Sequence, residues 1–283
     1  MITPQDERSI LARAYVPEHI VSLMVPVSKG EPFLIQDHLI LAKDNWLILV
    51  GYPLDGLFIR DRCEKIVGQA IEQFRPEYLW FIGPEIPPSI SGACQERESD
   101  QYYRLDLKQS KLKTSLVRVA EKASREVTIE RSHSFSKDHR SLVVELLERE
   151  HLPPRIKELY RAMPDYVAHS SNSFVLNAWT NTGKLSAFYV LDLSADQFTT
   201  YLLGTHSKRR YVSHASDLLF LEMIKITEEQ GKTIVNLGLG VNEGIRRFKE
   251  KWGGVPYLNY EFCEVSPEPA PAVSLVRTLL DRL

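Results

Sequence analysis

The sequence holds no apolar run near the roughly 18 to 20 residues that a membrane-spanning helix needs, so no span is expected. It has almost no net charge, −2 over 283 residues. That balance excludes a strongly basic protein and gives no reason to expect DNA as a partner. Cysteine is scarce: Cys63, Cys94 and Cys263 are far apart, odd in number and without metal-ligand spacing. Three reduced, buried thiols are the expectation, and these suit a cytoplasmic protein. His133, His139, His151 and His169 also lack ligand spacing, so no metal is expected. The N-terminal segment carries Asp6, Glu7, Arg8 and Arg13 and lacks the apolar core of a signal peptide.

What is present is ordinary globular composition in a chain long enough for two modest domains. Residues 9–15 read as a short helix, and prolines break the pattern after it. Residues 38–43 and 46–51 read as two short strands around a tight turn at Lys43-Asp44-Asn45. Residues 58–74 have helical apolar spacing, and 78–82 form a buried strand ended by Gly83-Pro84. Residues 87–100 read as a polar loop. A strand at 101–107, a helix at 111–125 and a strand at 127–130 complete an alternating α/β pattern.

The second half repeats the theme. Helices are expected at 137–150 and 154–163, and strands at 173–180, 184–192 and 197–205. Asn181-Thr182-Gly183 and Ser194-Ala195-Asp196 make the turns between the strands. Residues 217–230 are apolar nearly all round, which marks a helix buried against a sheet. A strand at 233–239, a helix at 243–251 and a strand at 257–265 follow. Residues 267–271 are a stiff Pro-rich spacer. Residues 273–283 have helical spacing, and that helix would pack back on the body or onto a second subunit in a homodimer.

The stretch Asn242-Glu243-Gly244-Ile245-Arg246-Arg247-Phe248-Lys249-Glu250-Lys251-Trp252-Gly253-Gly254 resembles the C-terminal signature of the GNAT (acyl-CoA N-acyltransferase) superfamily. Members often read Asn-x-x-Ala-x-x-Phe-Tyr-x-x-x-Gly-Phe there. Phe248-Lys249 in place of Phe-Tyr is closer to the Fem-type branch, which transfers aminoacyl groups from aminoacyl-tRNA. Two further blocks carry the resemblance. One is Tyr103-Arg104-Leu105-Asp106-Leu107 with residues 112–125 and Val127-Thr128-Ile129. The other is the apolar helix at 215–231. The chain is also similar to the domain of phosphatidylglycerol aminoacyltransferases, without their membrane part. The first half is short for a complete repeat, and the long helical hairpin of some Fem proteins is not visible.

The resemblance implies a tandem GNAT-like N-acyltransferase fold of the α/β class (an α+β mixed sheet), its second half better formed. Residues 1–126 would be a degenerate first half, 127–266 the complete second, and 267–283 the spacer and terminal helix. It also implies that two central strands splay apart and leave a wedge for the pantetheine arm.

Acyl transfer to an amine needs a deprotonated amine, a stabilised oxyanion and a held donor. In GNAT enzymes the donor grip is an Arg/Gln-x-x-Gly-x-Gly/Ala loop at a helix N-terminus, whose N–H groups hold the pyrophosphate of CoA. The matching stretch is Arg210-Tyr211-Val212-Ser213-His214-Ala215, preceded by Arg209. Arg210 and Ala215 fit. Ser213 stands where a glycine is expected, and its Cβ would crowd a close backbone approach. The plain alternative is a helix start capped by Ser213 or Ser216. Residues 206–251 hold nine Lys/Arg against six Asp/Glu, which suits a phosphate-bearing donor, acyl-CoA or aminoacyl-tRNA. A solvated charged face is the alternative.

Lys249 is the sharpest single candidate, because a matching Lys in the Fem-type family is implicated in stabilising an oxyanion or a leaving ribose oxygen. An exposed helix lysine is the alternative. His206, at the end of its strand, would accept the amine proton. Asn236, Tyr189 and Tyr201 would line the wedge and touch donor or substrate. The leading reading is an enzyme that transfers an acyl or aminoacyl group directly to a small-molecule or peptide amine. The rival is a non-catalytic GNAT-like protein that binds a ligand or partner.

Overall fold

The computed structural model describes residues 2–150 and 154–266. The spacer and terminal helix expected over 267–283 lie outside the described residues. The chain begins with α1 (Pro4–Arg13), a 3-10 turn (Pro17–His19), α2 (Val21–Ser28), β1 (Glu31–Ile35), β2 (His38–Lys43) and β3 (Trp46–Val50). Next come α3 (Arg60–Phe74), β4 (Tyr78–Gly83), α4 (Pro88–Ser91), β5 (Cys94–Asp106), α5 (Thr114–Ala123) and β6 (Val127–Ser132). Then follow α6 (Lys137–Arg149), α7 (Pro154–His169), β7 (Ser173–Thr180), β8 (Leu185–Asp192) and β9 (Phe198–His206). The order closes with α8 (Ala215–Glu229), β10 (Ile234–Leu239), α9 (Glu243–Lys251) and β11 (Val255–Val265).

These elements form two compact units. Of the described residues, unit 1 takes 2–102, Leu239–Val241 and 256–266; unit 2 takes those of Tyr103–Gly238 and Asn242–Val255.

In unit 1 the strand order is β1-β2-β3-β4-β11-β5. β1, β2 and β3 are antiparallel, while β3 and β4 run parallel, as a strand–helix–strand crossover requires. β2 and β3 are apolar at nearly every position because both faces are covered. Leu39, Leu41, Ile48 and Val50 meet Ile10, Val21 and Met24 on one side, and Ile40, Leu47 and Leu49 meet Ile66, Val67 and Ala70 of α3 on the other. The parallel ladder is unbroken from Trp46↔Tyr78 to Val50↔Ile82, and the Gly51 N–H extends it to the Ile82 carbonyl at 2.6 Å. The Phe81 ring fills the end of this pair. A Cβ on Gly51 or Gly83 would come within 2.4 or 2.6 Å of that ring.

Four expectations for this unit are corrected. The first helix is earlier than residues 9–15, at Pro4–Arg13, because Thr3 and Asp6 form a reciprocal capping box around Pro4. Pro26 does not break the chain but lies inside α2, whose Val21, Leu23 and Met24 are buried. The polar loop expected over 87–100 contains α4 and the start of β5. Its charged residues pair with the neighbouring strand, Arg97 and Ser99 both bonding to Glu261. Finally, Cys94 and Cys263 are not separate thiols. They are joined as a disulfide, with Cα atoms 5.5 Å apart, and Cys63 alone is free. The cysteines therefore give no argument for a reducing compartment.

In unit 2 the order is β5-β10-β9-β8-β7-β6. β6 to β9 form an antiparallel meander, and β10 returns parallel to β9 after α8. Alternate residues of β7 and β8 point to α5 and α8, among them Leu176, Tyr189 and Leu191. The residues between them face α6 and α7. Asn177 bonds His139 at 2.7 Å, and Asp192 accepts from the Tyr166 hydroxyl at 2.5 Å. α7 runs beyond residue 163 through Pro164 to His169. α8 is buried as its composition requires, and α9 occupies residues 243–251. No helix among the described residues is long and apolar enough to cross a membrane.

Two predictions follow from unit 1. Alkylation of the unfolded, unreduced protein should modify one cysteine, Cys63, and after reduction all three; three modified residues without reduction would contradict the pairing. His19 and His38 are held at about 4 against an ordinary 6.5, mainly by burial. Folded values below the unfolded one mean that this stabilisation is complete above pH 6.5 and is lost as pH falls towards 4. The urea midpoint should fall across that window, and a flat profile would contradict the buried neutral histidines.

Candidate active site

The ladder between β9 and β10 is short. It pairs Phe198, Thr199 and Thr200 with Ile234, Val235 and Asn236 and goes no further, although β9 continues to His206. Asn236 ends it: its Oδ1 accepts the Gly238 N–H at 2.9 Å, and Gly238 turns at φ +70°, a conformation that suits glycine. On the other side of β9, Val190 pairs with Leu203 and Leu191 with Tyr201, so Leu202 is an extra residue that bends the strand. The ladder between the two central strands of unit 2 thus stops after three pairs, whereas the corresponding parallel pair of unit 1, β3 and β4, is zipped and capped by Phe81.

α9 follows β10. Asn242 caps it, accepting the Ile245 N–H at 2.9 Å. Most of the helix is exposed, but Lys249 is only 4% exposed. Its Nζ lies 5.7 Å from the centroid of the Tyr103 ring, whose hydroxyl reaches Glu250 at 3.4 Å. Lysine is rarely buried, because desolvating its charge is costly. The alternative of an exposed helix lysine is therefore set aside. Phe248 packs edge-on against Phe220 of α8.

The loop before α8 contains most of the candidate donor grip, and it is internally filled. Glu145 of α6 accepts from the Lys208 N–H at 2.5 Å, the Arg209 N–H at 3.4 Å and the Ser207 hydroxyl at 2.9 Å. Burial pushes the Glu145 carboxyl up, but these donors outweigh it and hold it below the usual range. The Arg210 guanidinium bonds Asp138 at 2.8 Å. Arg209, Ser213 and His214 are exposed. The left-handed residue of the loop is His214, φ 65°, and Ser213 is not in that region. The Ala215 N–H turns back to the Val212 carbonyl at 3.2 Å. In the first turn of α8 the carboxylate of Asp217 accepts from His214, Lys251 and Trp252. A diphosphate would meet carboxylates at both ends of this loop.

Tyr189 is buried, and its hydroxyl donates to the Ser216 carbonyl at 2.9 Å, tying β8 to α8. Tyr201 stands edge-on to it, centroids 4.8 Å apart. Burial raises both phenols far above their ordinary range, so both stay protonated. His206 is half-buried beside Tyr211, centroids 5.9 Å apart. Burial first, and then the Arg149 guanidinium, lower its pKa, which leaves the ring neutral at neutral pH. The candidates therefore fall into three groups. Tyr201 and Asn236 flank the point where the strands part, Tyr189 beside Tyr201. Lys249 approaches from α9 over Tyr103. Arg209, Arg210 and His206 belong to the loop side, against α6. Among the described residues no three His, Cys, Asp or Glu side chains gather to hold a metal ion.

Sequence reasoning missed Glu145, Asp138 and Asp217. For Asp217 a signal existed: it is the first acid in an otherwise apolar helix. Glu145 and Asp138 gave none, being more than 60 residues from the loop they fill.

The fold is a tandem GNAT-like one with a mixed α/β sheet. No protein-family model matches the chain, and no curated protein sequence matches it either. Solved structures do. The chain is similar to L-PGS from Bacillus licheniformis, at 16% identity and TM-score 0.55, over 99% of this chain and 96% of that one. It is similar to FemX at 11% identity and TM-score 0.61, over 98% and 99%. It is also similar to a tandem GNAT protein from the clavulanic acid biosynthesis pathway, at 13% identity and TM-score 0.56, over 94% of each chain. At these identities the likeness is one of fold.

If Glu145 fills an anion site, Glu145→Gln should cost about 1 kcal/mol of stability, as charge-assisted hydrogen bonds weaken at a part-exposed position. Inorganic pyrophosphate should restore part of that loss in thermal denaturation. A variant that pyrophosphate does not stabilise would contradict this account of the loop.

Proposed function

We propose that this protein transfers an aminoacyl group from aminoacyl-tRNA, or more broadly an acyl group, directly to an amine acceptor at the parting of β9 and β10 in unit 2. The observation that carries the reading is the burial of Lys249 on α9, at the position where the sequence resembles the Fem-type signature. A buried cation beside the wedge is suited to stabilise the oxyanion of the tetrahedral intermediate. In this mechanism the free amine attacks the carbonyl carbon of the donor ester. The C–N bond forms, the C–O bond to the ribose breaks, the amine proton passes to the neutral His206 ring, and the leaving oxygen takes a proton. Tyr201 and Asn236 line the approach.

The donor preference rests on the loop before α8. With Glu145 on the Lys208 and Arg209 N–H groups and Asp138 on Arg210, the groups that would grip a CoA diphosphate are already bonded. A donor that presents its ester at the wedge and spreads its phosphates over a wider surface is better matched. An amine on a small molecule, peptide or lipid headgroup remains the acceptor class.

The test pairs binding with turnover. Aminoacyl-tRNA should bind saturably and with strong salt dependence, and CoA should give no thermal stabilisation. A ligand at 100 times its Kd would add about 2.7 kcal/mol. Lys249→Ala should slow transfer on the order of 10²- to 10³-fold while donor binding persists. Because the pKa of His206 is lowered, the acid limb of the rate should lie below the ordinary imidazole value of 6.5. Stabilisation by CoA that Arg210→Ala abolishes would move the donor to acyl-CoA. Silence towards both donors would favour the non-catalytic binding protein.

A further inference from the structure

Asp217 is an unusual residue for its place. It is 5% exposed, in the first turn of a helix whose other faces are apolar. An acid there often serves its own helix end, but this one is occupied by side chains. Its Oδ1 accepts from Trp252 Nε1 at 2.9 Å and from Lys251 Nζ, and its Oδ2 from His214 Nδ1 at 2.9 Å. Burial pushes the carboxyl up, and these three donors outweigh it and keep it ionised. Two of the three come from the end of α9, the helix that carries Lys249.

The connection to Lys249 is short. Trp252 is 1% exposed and stacks on Phe220, centroids 4.9 Å apart and planes 23° apart. The main chain of the same tryptophan donates its N–H to the Lys249 carbonyl at 3.1 Å, and Gly254 donates to that carbonyl at 2.9 Å. Gly254 packs too closely for any side chain: a Cβ on it would stand 2.7 Å from the Leu237 side chain and 2.9 Å from the Lys249 carbonyl. Gly253, φ +89°, makes the turn between them. Each link from the carboxylate through the indole to the Lys249 backbone therefore has little freedom.

We infer that Asp217 is a positioning residue: through Trp252 it fixes the end of α9, and so holds Lys249 at its buried place beside Tyr103. The inference rests on the role given to Lys249 above and extends it to a residue on a different helix. It explains why an aspartate interrupts the apolar helix, and why tryptophan and two glycines directly follow α9.

Asp217→Asn keeps the shape and a hydrogen-bond acceptor but loses the charge that holds Lys251. Trp252→Phe keeps a ring on Phe220 and removes the indole N–H. Both are compared with the native full chain, with circular dichroism to establish folding. The first readout is the rate at which an amine-directed succinimidyl ester acetylates Lys249, followed by peptide mass spectrometry with exposed Lys208 and Lys225 as references. In both variants Lys249 labelling should rise about tenfold or more while the references hold. The second readout is transfer turnover: kcat should fall roughly 10- to 100-fold with both KM values held, as expected for a displaced charge-stabilising group. Unchanged labelling of Lys249 in a folded variant overturns the inference, whatever the turnover. If Asp217→Asn fails to fold, Trp252→Phe decides. If the native protein shows no transfer but labelling rises, the proposed function fails and the anchoring of Lys249 stands.

Discussion

The site in unit 2 depends on a ladder that stops. β9 and β10 are parallel neighbours, and such a pair would ordinarily zip to its ends. They do not, because Asn236 takes the Gly238 N–H with its own side chain and Gly238 then turns through a left-handed conformation. A bulge at Leu202 bends β9 at the matching level. Past this point the register between β9 and β10 ends, Gly238 N–H turning to the Asn236 side chain and the Gly204 carbonyl accepting from the Tyr160 hydroxyl. Unit 1 shows the opposite solution from a similar strand–helix–strand order. There the parallel ladder runs to Gly51, and Phe81 occupies the end. The same crossover thus ends its parallel ladder early in unit 2 and carries it to the end in unit 1.

Charge is arranged around that opening in a consistent way. On one side is a lysine out of solvent. On the other, the basic residues before α8 face carboxylates from α6 and from α8 itself. A sequence excess of positive charge over residues 206–251 therefore does not translate into a free cationic groove. Arg210 and Lys251 are paired with buried or part-buried acids, and Arg247 with Glu243 on its own helix. Lys249 is the one residue of α9 that is buried. Roles are thus divided, with the loop cations used structurally and the helix lysine withdrawn from water.

Much of unit 2 was legible in the sequence because its elements are strongly patterned. α8 is apolar all round, β7 and β8 are bounded by clear turns, and α9 carries a capping asparagine before it and glycines after it. What was not legible depends on distant partners. The start of β5 is Gln, Glu, Arg, Glu and Ser, with no alternation, and is a strand only because β11 supplies Glu261 and a neighbouring backbone. Cys94 and Cys263 are separated by 169 residues, so no spacing rule could pair them. Lys249 was picked by resemblance, but nothing local foretold its burial, since the helix around it is polar. Its Nζ lies over the ring of Tyr103, a residue nearly 150 positions away.

Hydrogen exchange at the parted strands tests the central claim most directly. Amides of Tyr201 to His206, and of Leu237 and Gly238, would be followed with and without a non-hydrolysable aminoacyl-tRNA analogue. The account predicts that the protein alone protects the paired residues Val235 and Asn236 more than Leu237; Gly238 is left out of that comparison because its N–H bonds the Asn236 side chain. It also predicts that the analogue slows exchange on both strands beyond the parting. Uniform protection along β10 without ligand, or slowing confined to regions away from β9 and β10, would contradict it.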